Sequence, residues 1–392
     1  MSAALHDARA IRHADRELLS LALMHARNRT LAWLAVLEPH AGRDTGVLPP
    51  AWWIAGRAGW WQERWVARNV HRVRGAAASP TQAPLGSIEP QADAWWALPP
   101  ASGKAGLSAP PTFDDLRQYL AHTLDVSLEL LASSLDDSDD ALHWFRASLW
   151  EEDSLVLPLA ALAQIQRVPG AHALLPERLQ RPVRPAVWFA SQRFMLGSAR
   201  EGFVPEPERW AHEEPVPEFE IDAQPVTWSQ YAEFVADGGY DEPAHWGDQG
   251  WQWMLSDQRR GPRDVEQLRH GVVLQRFGQV VRAPAGESAS MLSWHEADAW
   301  CRWAGRRLPT ELEWELAASQ GASRGVVWGD VPEWTAGRAR AWPGGPDLPE
   351  AGLRVQRGVA WFEPRRLAHP KARRFVAPER DEAFAGFRSC AL

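Results

Sequence analysis

The chain has 392 residues, 45% of them hydrophobic, and a formal net charge of −8. This length predicts two domains, or one domain with a large insertion, and a sizeable core. The acidic balance argues against nucleic acid or an anionic membrane as the main partner. Two cysteines, Cys301 and Cys390, are too few for a disulfide framework. Because residues 1–10 lack an apolar signal core and no stretch approaches the length of a membrane span, the default expectation is a cytoplasmic protein.

The 24 tryptophans are the most unusual feature of the composition. A buried indole usually needs a hydrogen-bond acceptor for its N–H group. So many of them indicate deep aromatic packing, a ligand pocket, or both, although a core position is the more common role of any single tryptophan.

Residues 1–167 predict a bundle of four amphipathic helices. Apolar residues recur at helical spacing over 14–39, and a Trp-rich helix follows Pro49-Pro50. After a long connection over 75–111, the third helix starts near Thr112, where Thr112 and Asp115 resemble a capping box. The fourth helix is predicted over 138–167.

Residues 168–185 contain four prolines and predict a linker. Residues 186–392 then predict an irregular, loop-rich domain with short strands in 186–196 and 353–360. A helix is clear over 294–304, and another starts after Pro309, where Thr310 and Glu313 form a capping box. The whole chain is therefore predicted to be α+β, with a helical bundle first and an irregular mixed domain second.

Several short motifs follow one another along the second domain. They are Phe194–Ser198, Pro225–Trp228, Glu233–Tyr240, Ser293–Glu315, Glu333–Thr335, Arg357-Gly358 and Gly386–Cys390. In this order they resemble the formylglycine-generating-enzyme fold, which is itself related to C-type lectins. The Gly-Gly-Tyr at 238–240, followed by Trp246 and Gly250-Trp251, is more specific. It resembles the ergothioneine-type sulfoxide synthases and their selenoneine-synthase relatives, which also carry an N-terminal DinB-like four-helix bundle, so the resemblance covers about the whole chain.

The resemblance implies an oxygen-dependent reaction that joins a thiol or a selenol to the imidazole of hercynine. In that family a non-haem Fe(II), held by three histidines of the bundle, activates O2. Imidazole nitrogens suit such a metal, and a spacing of four residues places two of them on one face of a helix.

The matching positions of this chain do not carry these histidines. Arg57 stands where the first ligand is expected, and an arginine has no lone pair to offer a metal. Trp150 and Ser154 stand where the second and third ligands are expected, and Val156 replaces the glutamate of the same motif. The chemistry therefore changes while the packing motifs persist, which predicts a retained fold and a lost iron site.

The residues that the resemblance implies for substrate binding also differ from those of the family. An Arg-Asn-Phe step reads Arg373-Arg374-Phe375, an Asp-Asn-Glu step reads 206-EPE-208, an Arg-Gly-Gly-Ser step reads 357-RGVA-360, and Pro332 replaces a tryptophan. The cysteine pair that formylglycine generation needs is also missing around 361–365. That activity is therefore not expected.

The candidate pocket combines positions from both halves of the chain. Its residues are Arg57, Trp60, Trp150, Trp334, Arg373, Arg374 and Phe375. The tryptophans of 52–65 are suited to a cationic ligand because aromatic faces attract quaternary ammonium groups, but core packing is the more common explanation. Arg373 and Arg374 either grip a carboxylate or are surface charge.

His143 and the acidic run Glu151-Glu152-Asp153 each leave alternatives open. His143 is a replacement metal ligand together with these acids, or it is a partly exposed helix histidine, which is favoured. The acids are a solvated helix face, a metal cluster, or partners of Arg57 in an ion network that replaces the metal.

Two functional hypotheses follow. The first is a non-catalytic relative, a pseudoenzyme without a cofactor, which binds a small molecule, hercynine-like or other, or pairs with an active homologue. The alternative is an active enzyme with an atypical ligand set for Fe(II), forming a C–S or C–Se bond on hercynine. A metal-free reaction that uses Arg57 or the acids of 151–153 is weaker, because no nucleophile and base accompany them.

Overall fold

The structure is a computed structural model that describes residues 2–43, 45–78, 85–98, 109–348 and 350–392. The chain forms two compact units. Unit 1 contains Met1–Leu175 with two later segments, Glu201–Pro205 and Glu363–Leu367, and unit 2 contains the rest. The helical first unit and the short sheets of the second confirm the predicted α+β class.

Unit 1 is built from helices. Its α-helices are α1 (Ser2–Leu5), α2 (Arg16–Leu37), α3 (Ala51–Gln62), α4 (Ala92–Trp96), α5 (Phe113–Ala132), α6 (Asp139–Ser154) and α7 (Val156–Ile165). A π-helical turn, Glu63–Ala67, continues α3, and short 3-10 turns lie at Ala10–His13, Glu38–His40, Arg72–Ala77, Pro169–Leu174 and Arg365–Leu367. Helix α2 packs against α3, α5, α6 and α7, around a core that includes Leu19, Leu23, Phe145 and Leu149.

The predicted fourth helix over 138–167 is two helices, α6 and α7, which meet at Leu155. Pro158 explains the break, because a proline has no N–H to donate to the carbonyl of residue 154 and its ring clashes with that carbonyl. Pro158 then sits in the first turn of α7, where a missing N–H costs little.

The predicted connection over 75–111 includes α4, and its segments 79–84 and 99–108 lie outside the described residues. Gly56 permits the close approach of α4 to α3, because a Cβ atom there would lie 2.3 Å from the indole of Trp96. Helix α5 starts directly after Thr112, as predicted. The Thr112 side chain accepts a hydrogen bond from the backbone N–H of Asp115.

Unit 2 carries the remaining elements. Its helices are α8 (Trp228–Ala236), α9 (Asp248–Ser256), α10 (Trp294–Trp303) and α11 (Glu311–Gln320). Its strands are β1 (Val187–Phe189), β2 (Gln192–Leu196), β3 (His212–Val216), β4 (Phe219–Ile221), β5 (Val265–Gln267), β6 (Val272–Arg276), β7 (Gln279–Ala283), β8 (Glu333–Arg338), β9 (Arg354–Arg357) and β10 (Arg373–Val376). The strands form antiparallel sheets in the orders β1-β4, β2-β3, β5-β6-β7 and β10-β9-β8.

An aromatic core holds unit 2 together. It includes Trp228, Tyr231, Phe234, Trp300 and Phe387, all almost fully buried. The capping box at Thr310 and Glu313 is present at the start of α11 as predicted. Among the described residues of both units, no helix is long and apolar enough to cross a membrane.

The predicted linker 168–185 is divided between the units: Pro169–Leu174 belongs to unit 1, and 176–185 belongs to unit 2. Within unit 2 this second part carries arginine at every third position, a spacing that places them on one face of an extended chain. Arg178 pairs with the buried Glu287, Arg181 holds both oxygens of Asp330 at 3.0 and 2.9 Å, and Arg184 donates to the carbonyl of Gly325. We call residues 176–184 the arginine strap.

Candidate functional site

Arg57, at the position of the first expected iron ligand, lies on α3 with its side chain about one-quarter exposed. Its guanidinium lies 4.9 Å from the ring centre of Trp60 and 5.7 Å from that of Trp53. Nη1 donates to the carbonyl of Trp96 at 2.9 Å, and Nε lies 3.9 Å from the carboxylate of Glu151. Burial lowers the pKa of Arg57 and the carboxylate of Glu151 opposes that shift; the guanidinium stays charged.

Trp150 and Ser154, at the other two ligand positions, lie one turn apart on α6. The hydroxyl of Ser154 donates to the backbone carbonyl of Trp150 at 2.7 Å, which is the usual bond of a serine inside a helix. A guanidinium, an indole and an engaged hydroxyl do not make the donor set that a non-haem iron needs. Over the described ranges, no group of three or more His, Cys, Asp or Glu side chains is arranged to hold a metal ion.

The acidic run beside these positions is paired, residue by residue, with arginines. Consecutive helix residues point roughly 100° apart, so the three acids meet different parts of unit 1. Glu151 lies near Arg57, while Glu152 accepts from Arg27 at 2.7 and 3.1 Å. The pairs formed by Glu152 and Asp153 are buried, whereas the pair formed by Glu151 is partly exposed.

Arg27 connects four helices of unit 1 through one guanidinium. Besides Glu152 on α6, it donates to Gln62 on α3 at 2.7 Å and to the carbonyl of Leu120 and the hydroxyl of Thr123 on α5. Arg27 is 1% exposed, and Glu152 also accepts from Thr30 at 2.9 Å. The pair is therefore fully desolvated and surrounded by hydrogen-bonding groups, which a buried ion pair needs in order to persist.

Asp153 is paired with Arg366, which lies 213 residues further along the chain in the segment Glu363–Leu367 of unit 1. Nε and Nη2 of Arg366 hold the two carboxylate oxygens, the second at 2.7 Å. Both side chains are 1% exposed. Of the alternatives left open by the sequence, pairing with arginine is the one that the structure contains, and it involves three arginines rather than Arg57 alone.

The tryptophans of α3 and the following turn have protein partners. Trp60 donates its indole N–H to Asp93 at 2.7 Å, and Trp53 donates to the carbonyl of Leu98 at 3.2 Å. Trp65 stacks on Trp144 with ring centres 4.3 Å apart, and Trp61 packs beside both. His143 packs edge-on against Trp144 at 4.9 Å and near Phe203 at 5.6 Å.

In unit 2, Arg373 lies on β10 and is 4% exposed, so it is not surface charge. Its guanidinium forms a bidentate ion pair with Glu311, in which Nε and Nη2 donate to the two carboxylate oxygens at 2.7 and 3.0 Å. It lies 3.9 Å from the ring centre of Trp342 and 4.6 Å from that of Phe375. Burial lowers the pKa of Arg373, and the Glu311 carboxylate opposes that shift.

A second buried network lies beside it. Arg357 and Glu315, both 0% exposed, are in contact, and Lys371 lies 2.6 Å from the other oxygen of Glu315. Trp334, on β8, is also 0% exposed and donates its indole N–H to the carbonyl of Leu292 at 2.8 Å. Arg374 is half-buried and pairs across the sheet with Gln356.

The structure thus brings Arg57 and Trp60 together in unit 1, and Arg373 and Phe375 in unit 2. The sequence did not identify three partners that the structure shows. Glu311 binds the predicted residue Arg373, and Arg27 and Arg366 bind Glu152 and Asp153 of the acidic run. The acidic run was a usable signal that buried cations were needed, but nothing local marks Arg27 or Arg366 as those cations. The binding roles of the seven candidate pocket residues stay predictions.

Comparison with known proteins defines the class. Residues 172–328 match the family described as sulfatase-modifying factor enzyme 1-like domain. The formylglycine-generating enzyme of Mycobacterium tuberculosis is 35% identical over 158 residues, covering 35% of this chain and 52% of that protein. The C-terminal part is accordingly a domain of the formylglycine-generating-enzyme type.

Longer alignments cover both units. The hercynine oxygenase of Mycolicibacterium smegmatis is 26% identical over 436 residues, covering 95% of this chain and 98% of that protein. The hercynine oxygenase of M. tuberculosis is 29% identical over 327 residues, covering 69% of this chain and 76% of that protein. The predicted resemblance is confirmed: the chain is an ergothioneine-sulfoxide-synthase-like protein with a C-terminal domain of the formylglycine-generating-enzyme type.

Proposed function

We propose that this relative of the hercynine oxygenases is a non-catalytic protein without an iron centre, which binds a small molecule of the hercynine class. The observation that carries the proposal is the engagement of Arg57. Its charge stands where a metal cation is expected, and it is in contact with two indoles, a backbone carbonyl and Glu151. A cationic side chain at that point opposes the binding of Fe(II) by charge as well as by the lack of a lone pair.

The ion pairs of Glu152 and Asp153 support the same proposal. Metal ligands in a helical bundle also tie helices together, and here buried arginine–carboxylate pairs make those connections. The retention of hercynine-class binding rests on the likeness to hercynine oxygenases. It is supported by the indoles of Trp53 and Trp60 beside the partly exposed Arg57, since aromatic faces attract quaternary ammonium groups.

The first experiment compares iron content in the wild type and in histidine variants. Protein purified without oxygen is loaded with Fe(II), desalted and measured by elemental analysis. We expect well below one iron per chain in the wild type and in Arg57→His, because one imidazole does not complete a three-ligand site. We expect the triple variant Arg57→His, Trp150→His, Ser154→His to retain more iron than either.

The second experiment measures the turnover of hercynine and its binding separately. Hercynine is supplied with cysteine or a selenium donor, with O2 and Fe(II), and products are sought by mass spectrometry, while calorimetry measures hercynine binding without iron. Binding without turnover supports the proposal. Turnover together with about one iron per wild-type chain establishes the active alternative with an atypical ligand set, and a lack of binding contradicts the ligand class.

A further inference from the structure

The arginine strap lies at the surface of unit 2 and forms neither helix nor strand. Arg178 and Arg181 are its partly buried residues, and the other residues of 176–184 are exposed. Leu179 and Val183, its two large apolar residues, each expose more than half of their surface. Apolar burial therefore contributes little to holding the strap in place, and other interactions must do so.

The two partly buried arginines each reach a buried carboxylate of unit 2. Arg178 pairs with Glu287, and its guanidinium lies 3.7 Å from the ring centre of Trp361. Arg181, three residues further on, binds both oxygens of Asp330 at 3.0 and 2.9 Å. With the strap in place, the side chains of Glu287 and Asp330 are only 3% and 9% exposed.

The backbone of the strap is bound as well. The indole N–H of Trp361 donates to the carbonyl of Pro176 at 3.1 Å, and the N–H of Arg181 donates to the carbonyl of Gly286 at 3.0 Å. A Cβ atom at position 286 would lie 2.8 Å from the carbonyl oxygen of Arg181, so a glycine permits this approach. We call the surface that holds the strap the strap groove; it consists of Gly286, Glu287, Asp330 and Trp361.

These contacts match the way in which proteins bind extended peptides. A polyproline II segment has three residues per turn, so side chains at every third position face the same surface. The strap has arginine at 178, 181 and 184 and proline at 176 and 182. Recognition sites for such segments offer aromatic surface, and arginine is recognised best by a carboxylate that accepts two N–H groups. The strap groove contains both.

Opening of the strap would leave the groove with an unpaired charge. Arg181 is the cation that pairs with Asp330 among the described residues, whereas Glu287 keeps a second partner, Arg276. Segments with few buried apolar contacts open at a low cost in free energy. The open groove would therefore present a free carboxylate at Asp330 and the uncovered ring of Trp361, which together favour an incoming guanidinium.

We propose that the strap groove binds an extended segment of a partner protein with arginine at every third residue, and that the strap occupies the groove until such a segment displaces it. A second copy of this chain is not the occupant, because its own strap is docked. The strap is tethered and competes at an effective concentration in the millimolar range, so the partner segment must bind more tightly than the strap does. The proposal is independent of the ligand surface at Arg57.

Peptide binding to the full chain provides the first test. The probe is a fluorescent peptide with the sequence of residues 176–185, and the double variant Arg178→Gln, Arg181→Gln provides a groove whose own strap lacks both pairing side chains. By fluorescence anisotropy we expect saturable binding to this variant and binding at least about tenfold weaker to the wild type, because the wild-type strap competes. Arg184→Gln, which keeps both ion pairs, should behave like the wild type. A double variant that binds no peptide at millimolar concentration would contradict the proposal.

Two further substitutions locate the bound peptide. Asp330→Asn, added to the double variant, removes the carboxylate that the second arginine of the peptide binds, and Asp248→Asn, at an exposed acid of α9, is the matched control. We expect the first to weaken peptide binding severalfold and the second to leave it unchanged. Equal affinities in the two backgrounds would show that the peptide binds by general charge attraction and not in the groove.

Hydrogen exchange of the wild type keeps the proposal testable if the double variant fails to fold. The protein is isotopically labelled and the peptide is not, so the amide of Arg181 is observed in the protein alone. Excess peptide should speed the exchange of this amide, because displacement of the strap breaks its bond to the carbonyl of Gly286. An unchanged exchange rate at millimolar peptide would count against displacement.

Discussion

Glu151, Glu152 and Asp153 are neighbours in sequence, yet their environments differ widely. The Glu151–Arg57 pair is 3.9 Å apart with both side chains more than one-fifth exposed. The other two pairs are buried to within a few per cent. Solvent screens the first pair and leaves the other two unscreened, so one acidic run contains both weak and strongly coupled ion pairs.

We therefore expect Glu152→Gln to cost about 3–5 kcal/mol of unfolding free energy, because Arg27 would remain charged and buried without a counter-charge. Glu151→Gln, the same change one position earlier, is the matched control and should cost less than about 1 kcal/mol. Urea unfolding of both variants measures the difference. Equal losses of unfolding free energy would show that the difference in burial does not affect how much each ion pair contributes to stability.

The carboxyl group of Glu296 gives a prediction about pH. Burial, and then the charge of Asp381, raise the pKa of Glu296 to about 7, against opposing hydrogen bonds from Tyr240 and Ser293. Its usual value in an unfolded chain is about 4.3. The folded state therefore favours the protonated form, and the resulting stability is full below pH ~4 and is lost as the pH rises through about 7.

We expect the unfolding free energy of the wild type to fall relative to that of Glu296→Gln between pH ~4 and pH ~7.5, by up to roughly 3 kcal/mol. The glutamine variant cannot ionise at this position, so all other titrating groups cancel in the comparison. Denaturant unfolding of both proteins at several pH values gives the two curves. Parallel curves would mean that Glu296 titrates alike in the folded and unfolded states.

At the scale of elements, local sequence signals placed most helices correctly. Threonine caps at Thr112 and Thr310 and the apolar stripes gave the starts of α5 and α11. The break at Leu155 was missed although Pro158 is visible in the sequence, because the apolar spacing continues across it. Periodicity reports which residues face a core; it does not report whether the backbone between them is continuous.

The candidate site was less predictable than the helices. The pairing of Asp153 with Arg366 spans 213 residues, and the pairing of Arg373 with Glu311 spans 62. No periodicity or cap connects such positions, since their meeting is a consequence of tertiary packing. The sequence could thus identify the substituted ligand positions but not the arginines that neutralise the acids beside them.

The arginine strap is an element whose stability rests on charge pairing rather than on helix or strand bonds. The double variant Arg178→Gln, Arg181→Gln removes its pairing with Glu287 and Asp330. We expect faster cleavage of residues 176–184 in limited proteolysis, because local opening exposes the segment to the protease. Arg184→Gln, which loses only a bond to a carbonyl, should be cleaved at nearly the wild-type rate.

At the scale of the whole molecule, unit 1 is discontinuous in sequence. A fragment that stops at residue 175 lacks Glu363–Leu367 and therefore lacks Arg366. In that fragment Asp153 would have lost its bidentate partner, which costs about 3–5 kcal/mol when the position stays buried.

We expect Asp153→Asn to act with opposite sign in the two contexts. In the full chain the substitution leaves Arg366 buried without a counter-charge and lowers the free energy of unfolding. In the 1–175 fragment it removes an uncompensated carboxylate and raises the free energy of unfolding. Circular dichroism during urea unfolding of the four proteins measures the reversal. Destabilisation in both contexts would show that Asp153 does not depend on Arg366.

The division of the chain also bears on inheritance. The backbone passes from one unit to the other after residues 175, 200, 205, 362 and 367. A gene fusion or exchange after residue 175, 200, 205 or 362 would separate Asp153 from Arg366. We therefore expect the two units to be inherited together. We also expect substitutions at Asp153 to be selected jointly with substitutions in Glu363–Leu367.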